Sequence, residues 1–350
     1  MTGGSDHIVA GVAARIFADL ADPQTINHAK DDAWKTPLWK ALAEAGLLLA
    51  WIPENFGGSG ASVADGFAVL GGAGRFALAV PLAETMLAGW LLSRAGLQAP
   101  DGAMTVAPAR PLDRITLSTD GTLSGRAIGI PFAADAKHIA VLTDNGVVAL
   151  VATKACRIDD GRTPAGDASN LVSFDRVKPI ATASATIDQA ALMLMGAVVR
   201  SVQTAGALEA LLAMSVAYAN ERVAFERKIG KFQAVQQNLA RLAGEVAAAL
   251  AVSGSATDTL AQCDNFDDST FLEAAAAKIR CAEAATEGAA IAHQVFGAIG
   301  FTQEHMLHRF TTRMLAWRDD FGNESYWAAQ LGRHVAARGA DEFWPMVAAR

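Results

Sequence analysis

The spacing of apolar positions divides this chain into three parts. Before residue 100 and after residue 186, apolar side chains recur every three or four positions, which predicts amphipathic helices. From 101 to 185 the apolar runs are short, alternating or β-branched and are separated by turn residues, which predicts strands. We therefore expect an α+β fold, mostly α, with an N-terminal helical domain (1–100), a middle β domain (101–185) and a C-terminal helical bundle (186–350).

Capping and turn signals add detail to the first two parts. Thr36 followed by Pro37 predicts a helix start, and Ser62 predicts the N-cap of a further helix. Asn145-Gly146 lies between two apolar runs and predicts a hairpin with a type I′ turn. Several short strands of this kind are typical of a small barrel or sandwich.

The last part contains long helical patterns over 187–222, 231–261, 270–297 and 302–315, which predict a four-helix bundle. The junction of the first two patterns, Arg222 to Gln233, holds two Arg and two Lys beside two Phe. A guanidinium fork suits phosphate oxygens, and a helix start supplies unpaired N–H groups. From this chemistry alone two interpretations stay open, a seat for a cofactor's diphosphate and ring or a solvated helix junction.

Composition narrows the function classes. The net charge is −7 with no basic block, so nucleic-acid binding is not expected. The longest apolar run of the helical region, Ala190 to Val199, stops at Arg200 and is too short for a membrane span. The N-terminus has no signal-peptide pattern. No metal site and a cytoplasmic location are expected, because the three cysteines fit neither a zinc spacing nor a disulfide framework: Cys156, Cys263 and Cys281.

Three spaced motifs resemble those of the acyl-CoA dehydrogenase family. They are a Pro-Glu-x-x-Gly-Gly-x-Gly loop, an Arg-x-x-Phe-Gly-x-x-Ile-x-x-Phe-Gln segment and a Gln-x-x-Gly-Gly-x-Gly-Phe-x-x-Glu segment. Their order and that of the three predicted parts are similar to the family's. The matching residues are Pro53, Glu54, Gly57, Gly58 and Gly60, then Arg222, Phe225, Ile229, Phe232 and Gln233, then Gln294, Gly297, Ala298, Gly300, Phe301 and Glu304.

The resemblance implies FAD, a tetramer, an electron-transfer flavoprotein or similar acceptor, and α,β-dehydrogenation of an acyl-CoA thioester. It implies that Arg222 and Phe225 contact the diphosphate and adenine of a neighbouring subunit's FAD, with Gln233 in the same segment. Gln294 and Gly297 then bind another part of that adenosine diphosphate. The reaction needs a carboxylate that removes the substrate's α-proton.

That carboxylate is out of register here. The family's commonest base position falls on Phe321, although the glycine after it is kept. A second position used by some members falls on Gly196, which has no acidic group. We place Asp320 first among the candidate bases, followed by Asp319 and Glu324, while solvated turn acids are the alternative interpretation.

Other departures concern the flavin site. The segments that usually cover the flavin ring correspond to 106–108 and 129–131, which carry no hydroxyl group and no Trp. Glu226 and Ala224 replace a glycine and a hydroxyl residue in the Arg222 segment. The chain is similar in these respects to the short subunits of bacterial two-component, heterotetrameric acyl-CoA dehydrogenases, which act on bulky steroid, terpenoid or aromatic acyl groups. The alternatives are a homotetramer, a non-catalytic or half-site partner subunit, and a flavin oxidase of this fold with an Asp base.

Overall fold

The structure, a computed structural model, describes residues 6–262 and 265–348. Helices come first, strands follow, and long helices return after residue 188, so the predicted α+β, mostly α fold is confirmed. The helices are α1 Asp6–Leu20, α2 Pro23–Asn27, α3 Lys35–Glu44, α4 Val63–Arg75, α5 Leu82–Arg94, α6 Gln189–Glu221, α7 Gln233–Gln262, α8 Asp268–Phe296, α9 Leu307–Asp319, α10 Glu324–Arg338 and α11 Ala340–Ala348.

The strands of the middle part form two four-stranded sheets with the orders β1-β4-β5-β8 and β2-β3-β7-β6. Only the β1–β4 pair in these sheets is parallel. Apolar residues of both sheets belong to one core with α1, α4, α5 and the first half of α6. The strands are β1 Met104–Ala107, β2 Arg114–Leu117, β3 Leu123–Pro131, β4 His138–Leu142, β5 Val147–Ala152, β6 Arg157–Asp159, β7 Ser169–Val177, β8 Ala181–Ser184, β9 Val223–Ala224 and β10 Arg227–Lys228.

The predicted hairpin at Asn145 is present, but its turn type was wrong. A type I′ turn needs positive φ at both central residues, whereas only Gly146 is left-handed, with φ 75°. The Asn145 side chain instead bonds to another strand: its Nδ2 donates to the carbonyl of Leu117 at 2.9 Å. The loop is closed by Thr143, whose N–H donates to the carbonyl of Val147 at 2.9 Å.

The helix starts were predicted with mixed success. Ser62 is the expected N-cap, and with Asp65 it forms a reciprocal capping box. Thr36 is not an N-cap, since α3 already begins at Lys35 after Trp34, which makes no side-chain cap. Pro37 lies in the first turn, where its missing N–H has no helical partner to lose.

Helices α6 to α9 pack against one another as the predicted four-helix bundle. The last of them begins at Leu307 rather than 302, because residues Gly297–Phe301 form a 3₁₀ turn. His305 then accepts a hydrogen bond from the Leu307 N–H through Nδ1 at 3.1 Å. Cys156 and Cys281 are free, and Cys263 lies outside the described residues.

Two bundle helices are long and apolar enough to cross a bilayer by length and composition, namely Gln189–Glu221 and Gln233–Gln262. Core helices of soluble proteins meet the same criterion. The apolar window of α6 is 94% buried inside the protein, and that of α7 is 28% buried. The expected absence of a membrane span therefore remains a prediction.

Candidate functional site

The basic junction between α6 and α7 folds into a small hairpin. Helix α6 ends at Glu221, and Arg222 follows with its N–H bonded to the carbonyl of Tyr218 at 2.9 Å. Strands β9 and β10 pair around Phe225 and Glu226, whose φ angles of 51° and 65° make a two-residue turn with both residues left-handed. Phe225 at the tip is 89% exposed. The hairpin thus presents an aromatic ring outward, away from its own bundle.

A cavity of about 700 Å³ lies beside this hairpin. It brings together two of the predicted cofactor residues, Arg222 and Gly297. Its aromatic wall consists of Tyr218 and Phe296, whose rings stack with centroids 4.4 Å apart. Gly297 is left-handed, with φ 63°, and a Cβ atom built there meets nothing within 4 Å. The cavity therefore combines a guanidinium, an aromatic surface and open backbone.

The other predicted cofactor residues lie nearby in the chain but outside the lining of this cavity. Gln294 is exposed on the last turn of α8, and Gln233 is exposed as the first residue of α7. Phe225 contacts Phe232 edge-on, with centroids 6.2 Å apart. Their outward positions suit contacts with a second subunit rather than with this chain's own interior.

The loop after α9 contains the residue in the expected base position. Phe321 is 1% exposed, and its φ of 55° is left-handed. Its N–H donates to the carbonyl of Ala109 at 3.1 Å, and its carbonyl accepts from Trp327 Nε1 at 3.0 Å. A Cβ atom built on Gly196 would lie 2.3 Å from the Phe321 ring. The two base positions of the resemblance are thus in direct contact, and neither carries a carboxylate.

Asp320, the first candidate base, belongs to a buried charged cluster centred on Arg200. The Arg200 guanidinium donates to Asp320 Oδ2 at 2.9 Å, to Glu84 Oε1 at 2.6 Å and to Gln203 Oε1 at 2.7 Å. The Arg200 and Glu84 side chains are each 3% exposed, and that of Asp320 is 19% exposed. This geometry holds the Asp320 carboxylate against a cation.

Burial controls the protonation of this cluster. Loss of solvent raises the pKa of Glu84 and of Asp320, although Arg200 pulls both in the opposite direction. Lys278 lies beside the cluster and donates from Nζ to the carbonyl of Trp317 at 2.6 Å. Burial lowers the pKa of Lys278 to about 7, with Asp320 opposing the shift. Burial therefore favours the neutral form of Lys278 more than water does.

The remaining candidate bases point to other partners. Asp319 is largely exposed, with Arg318 Nε 3.7 Å from its carboxylate. Glu324 is the first residue of α10, after the N-cap Asn323, and it also lies 3.7 Å from Arg318 Nε. Asp319 is consistent with a surface role, and Glu324, which is half-buried, with a role at the start of α10. Among the described residues, no group of three or more His, Cys, Asp or Glu side chains is arranged to hold a metal ion.

Comparison with known proteins decides the family. The N-terminal domain model of acyl-CoA dehydrogenases matches residues 7–99, and the C-terminal domain model matches residues 185–335. The chain belongs to the acyl-CoA dehydrogenase family. It is therefore an oxidoreductase of a family whose cofactor is FAD.

Its relatives among acyl-CoA dehydrogenases include IpdE2 from Mycobacterium tuberculosis (strain ATCC 25618 / H37Rv), which is 29% identical over 303 residues, covering 86% of this chain and 87% of the relative. The ChsE4-ChsE5 complex from Mycobacterium tuberculosis contains a similar chain, with a TM-score of 0.85, 24% identity, and coverage of 97% of this chain and 99% of that one. The Tcur3481-Tcur3483 steroid ACAD has a TM-score of 0.81, 24% identity, and coverage of 96% and 99%. At this identity the two structures establish the shared fold.

The acyl-CoA dehydrogenase chain fits one part of FAD better than the other. The cavity at Arg222, Tyr218 and Gly297 has the chemistry to hold an adenosine diphosphate, because it offers a phosphate-binding fork, a stacking surface and an open backbone. The segment at 129–131, which corresponds to the family's cover of the flavin ring, has a different neighbour. A Cβ atom on Gly129 would lie 3.2 Å from the Arg110 guanidinium, so an arginine lies beside this segment.

The local sequence patterns do not identify Glu84, Arg200 and Lys278 as a cluster. Arg200 ends an apolar run in the sequence, whereas in the structure it lies in the middle of α6 with a buried side chain. Each of the three residues lies within a largely apolar helix, and this was the available signal, since a charge on a buried helix face requires a partner. Their pairing depends on the packing of α5, α6 and α8, which local patterns do not contain.

Proposed function

We propose that this chain is the half-site subunit of a heteromeric, FAD-dependent acyl-CoA dehydrogenase whose catalytic base comes from a related subunit. The observation that carries the proposal is Phe321, which occupies the base position and lays its ring on Gly196, the second base position. A benzyl side chain accepts no proton. Asp320 is a weak substitute, because its carboxylate is engaged by Arg200.

The contribution of this chain to the cofactor site is the hairpin and the cavity beside it. Bound FAD supplies the hydride acceptor for α,β-dehydrogenation. We assign Arg222 to the diphosphate of a neighbouring subunit's FAD and Phe225 to its adenine, with Gln233, Gln294 and Gly297 around the same moiety. The outward position of Phe225 and the open backbone at Gly297 support this assignment. Glu226 opposes phosphate binding, so the neighbour must supply further contacts.

For substrate we propose an acyl-CoA thioester with a bulky acyl group, of which a steroid side-chain ester is the first choice. Support for an acyl-CoA thioester comes from similarity to the acyl-CoA dehydrogenase IpdE2, and support for a steroid group comes from similarity to the steroid ACAD Tcur3481-Tcur3483. The ChsE4-ChsE5 complex supports a heteromer of two related chains. We place the assembly in the cytoplasm, with an electron-transfer flavoprotein or a similar protein as acceptor.

The test is the flavin spectrum of the chain purified alone and of the chain coexpressed with a related acyl-CoA dehydrogenase subunit that carries a carboxylate in the base position. We expect little flavin and no bleaching by acyl-CoA for the chain alone, and flavin bands that bleach for the complex. In that complex Asp320→Asn is expected to leave kcat within about twofold, whereas Arg222→Gln lowers flavin content. Bleaching by the isolated chain, together with loss of kcat in Asp320→Asn, would establish a self-sufficient enzyme with Asp320 as base.

A further inference from the structure

A polar cleft of about 580 Å³ lies where the N-terminal helices, the β domain and α9 meet, apart from the cavity at Arg222. Its walls are tied together. Asn27 Nδ2 donates to the carbonyl of Gln303 at 3.0 Å, and Arg313 donates to both carboxylate oxygens of Asp167, at 2.7 and 2.8 Å. Arg313 also donates to the carbonyl of Ala77 at 2.8 Å. The cleft is therefore preformed by side chains of all three parts of the chain.

Arg309 lines this cleft one helical turn before Arg313. Its Nε is fully buried, and no residue within 6–262 or 265–348 accepts a hydrogen bond from it. The described residues also give its side chain no ion pair within 4.0 Å. A buried charged donor without a partner costs free energy and calls for an explanation, of which a missing ion or ligand is one.

The charges at this wall of the cleft are unequal. Asp167 is the nearest acid, but its two oxygens already pair with Arg313. Burial first, and then the neighbouring Arg313, lower the pKa of Arg309 to about 10, while Asp167 and Asp32 act against this shift. Two guanidinium groups thus lie near one carboxylate, which pairs with Arg313 alone. An anion at Arg309 would supply the missing negative charge and the missing acceptor together.

We propose that this cleft binds a phosphate group through Arg309, with further donors from His308 and Arg162, which line the same cleft. His308 Nδ1 is bonded to the carbonyl of His305, so Nε2 is the ring nitrogen left for a ligand. Arg162 donates from Nη1 to the carbonyl of Gly166 and keeps its other N–H groups. Donors on three side chains match the several oxygens of a phosphate better than the two oxygens of a carboxylate.

Equal numbers of Lys or Arg and of Asp side chains line the whole cleft. Long-range attraction is therefore small, and recognition depends on direct contact with Arg309. This makes the Arg309 guanidinium the decisive group and gives the proposal a sharp test. Because the buried Nε of Arg309 has no acceptor among the described residues, removal of this side chain is expected to leave stability unchanged or higher, while a structural arginine would lower it.

The experiment measures thermal stability and calorimetric binding of the full chain with inorganic phosphate, coenzyme A and dephospho-coenzyme A. We expect phosphate or coenzyme A to raise Tm of the parent, and Arg309→Leu to weaken binding tenfold or more, as loss of a charged hydrogen bond implies. Arg15→Leu, which removes an exposed arginine of α1, is the matched control and should bind like the parent. Arg309→Lys keeps the charge without the fork and should bind at intermediate strength.

Comparison of the three compounds identifies the source of the phosphate. Tighter binding of coenzyme A than of dephospho-coenzyme A assigns the cleft to the 3′-phosphate of the coenzyme, and binding of inorganic phosphate alone assigns it to free phosphate. Three results overturn the proposal. They are no binding of any of these compounds, equal binding by Arg309→Leu and the parent, and equal stabilisation by acetate, which lacks the extra oxygens.

Discussion

Arg200→Met is the substitution that probes the buried cluster most directly. The methionine retains much of the apolar stem but removes the cation that contacts Glu84, Asp320 and Gln203. Two carboxylates are then left facing each other with little solvent. Removal of one partner from a buried ion pair costs about 3–5 kcal/mol, and we expect a loss of unfolding free energy in this range at pH 7. Urea denaturation followed by far-UV circular dichroism measures it.

The cost of Arg200→Met should depend on Glu84 and on pH. Glu84→Gln keeps an acceptor for Arg200 and should cost less than about 2 kcal/mol, since desolvation of the carboxylate is relieved at the same time. When Glu84→Gln is added to Arg200→Met, the double variant should recover at least about 1 kcal/mol of the lost unfolding free energy.

The pKa values of Glu84 and Asp320 are raised in the folded protein, so folded chains hold these protons more tightly than unfolded ones. Ordinary carboxyl pKa values lie near about 4. Stability should therefore fall as pH rises from there towards the raised pKa values of the folded protein, and it should fall more steeply without Arg200.

Arg75→Met is the matched control, because Arg75 forms an exposed pair with Glu209 at 2.8 Å. Such surface pairs contribute up to about 1 kcal/mol. If Arg200→Met cost no more than Arg75→Met, the cluster would not anchor Asp320, and the argument against Asp320 as the base would fail.

Three further substitutions test neighbouring features. Lys278→Met should be more stable than the parent at pH 7. Between pH 7 and 10.5 the parent should gain urea-unfolding free energy relative to this variant as pH rises, because its folded lysine has a pKa of about 7; parallel pH profiles of the two proteins would contradict this. Gly196→Ala should cost about 1–3 kcal/mol through its contact with Phe321, and less in a Phe321→Ala background, as thermal unfolding would reveal. Glu226→Gly should raise flavin retention of the heteromer, because it relieves a left-handed glutamate and removes a charge that repels phosphate; unchanged retention would place Glu226 away from the diphosphate.

Most features that depend on local sequence were predicted well, although Thr36 is not an N-cap. The order of helices and strands, the Ser62 cap and the long helices of the bundle follow from periodicity and capping, because each signal involves residues close in the chain. The turn at Asn145 was wrong for a related reason. A contact with Leu117, made by the Asn145 side chain across to another strand, lies beyond what a two-residue turn pattern contains.

Sequence patterns located candidate cofactor residues only where a motif spans a few residues. The basic junction at Arg222 is such a case; its cofactor role stays a prediction, and the structure adds that the segment is a hairpin with Phe225 and Glu226 in its turn. The charged cluster is the opposite case, because Arg200 is 116 residues from Glu84 and 120 from Asp320. A charge in an apolar helix signals that a partner exists, but only the packed structure identifies it.

The same distinction explains why Asp320 was the first candidate base. In sequence it is the nearest acid to the base position, and adjacency was the only available criterion. In the structure adjacent residues of this loop have opposite roles, since Phe321 fills the space at Gly196 while Asp320 turns toward Arg200. The left-handed φ of Phe321 separates these two directions. A shift of this loop by one residue would place the Asp320 carboxylate where the Phe321 ring now lies against Gly196. Such a shift requires breaking the contacts of Asp320 with Arg200 first.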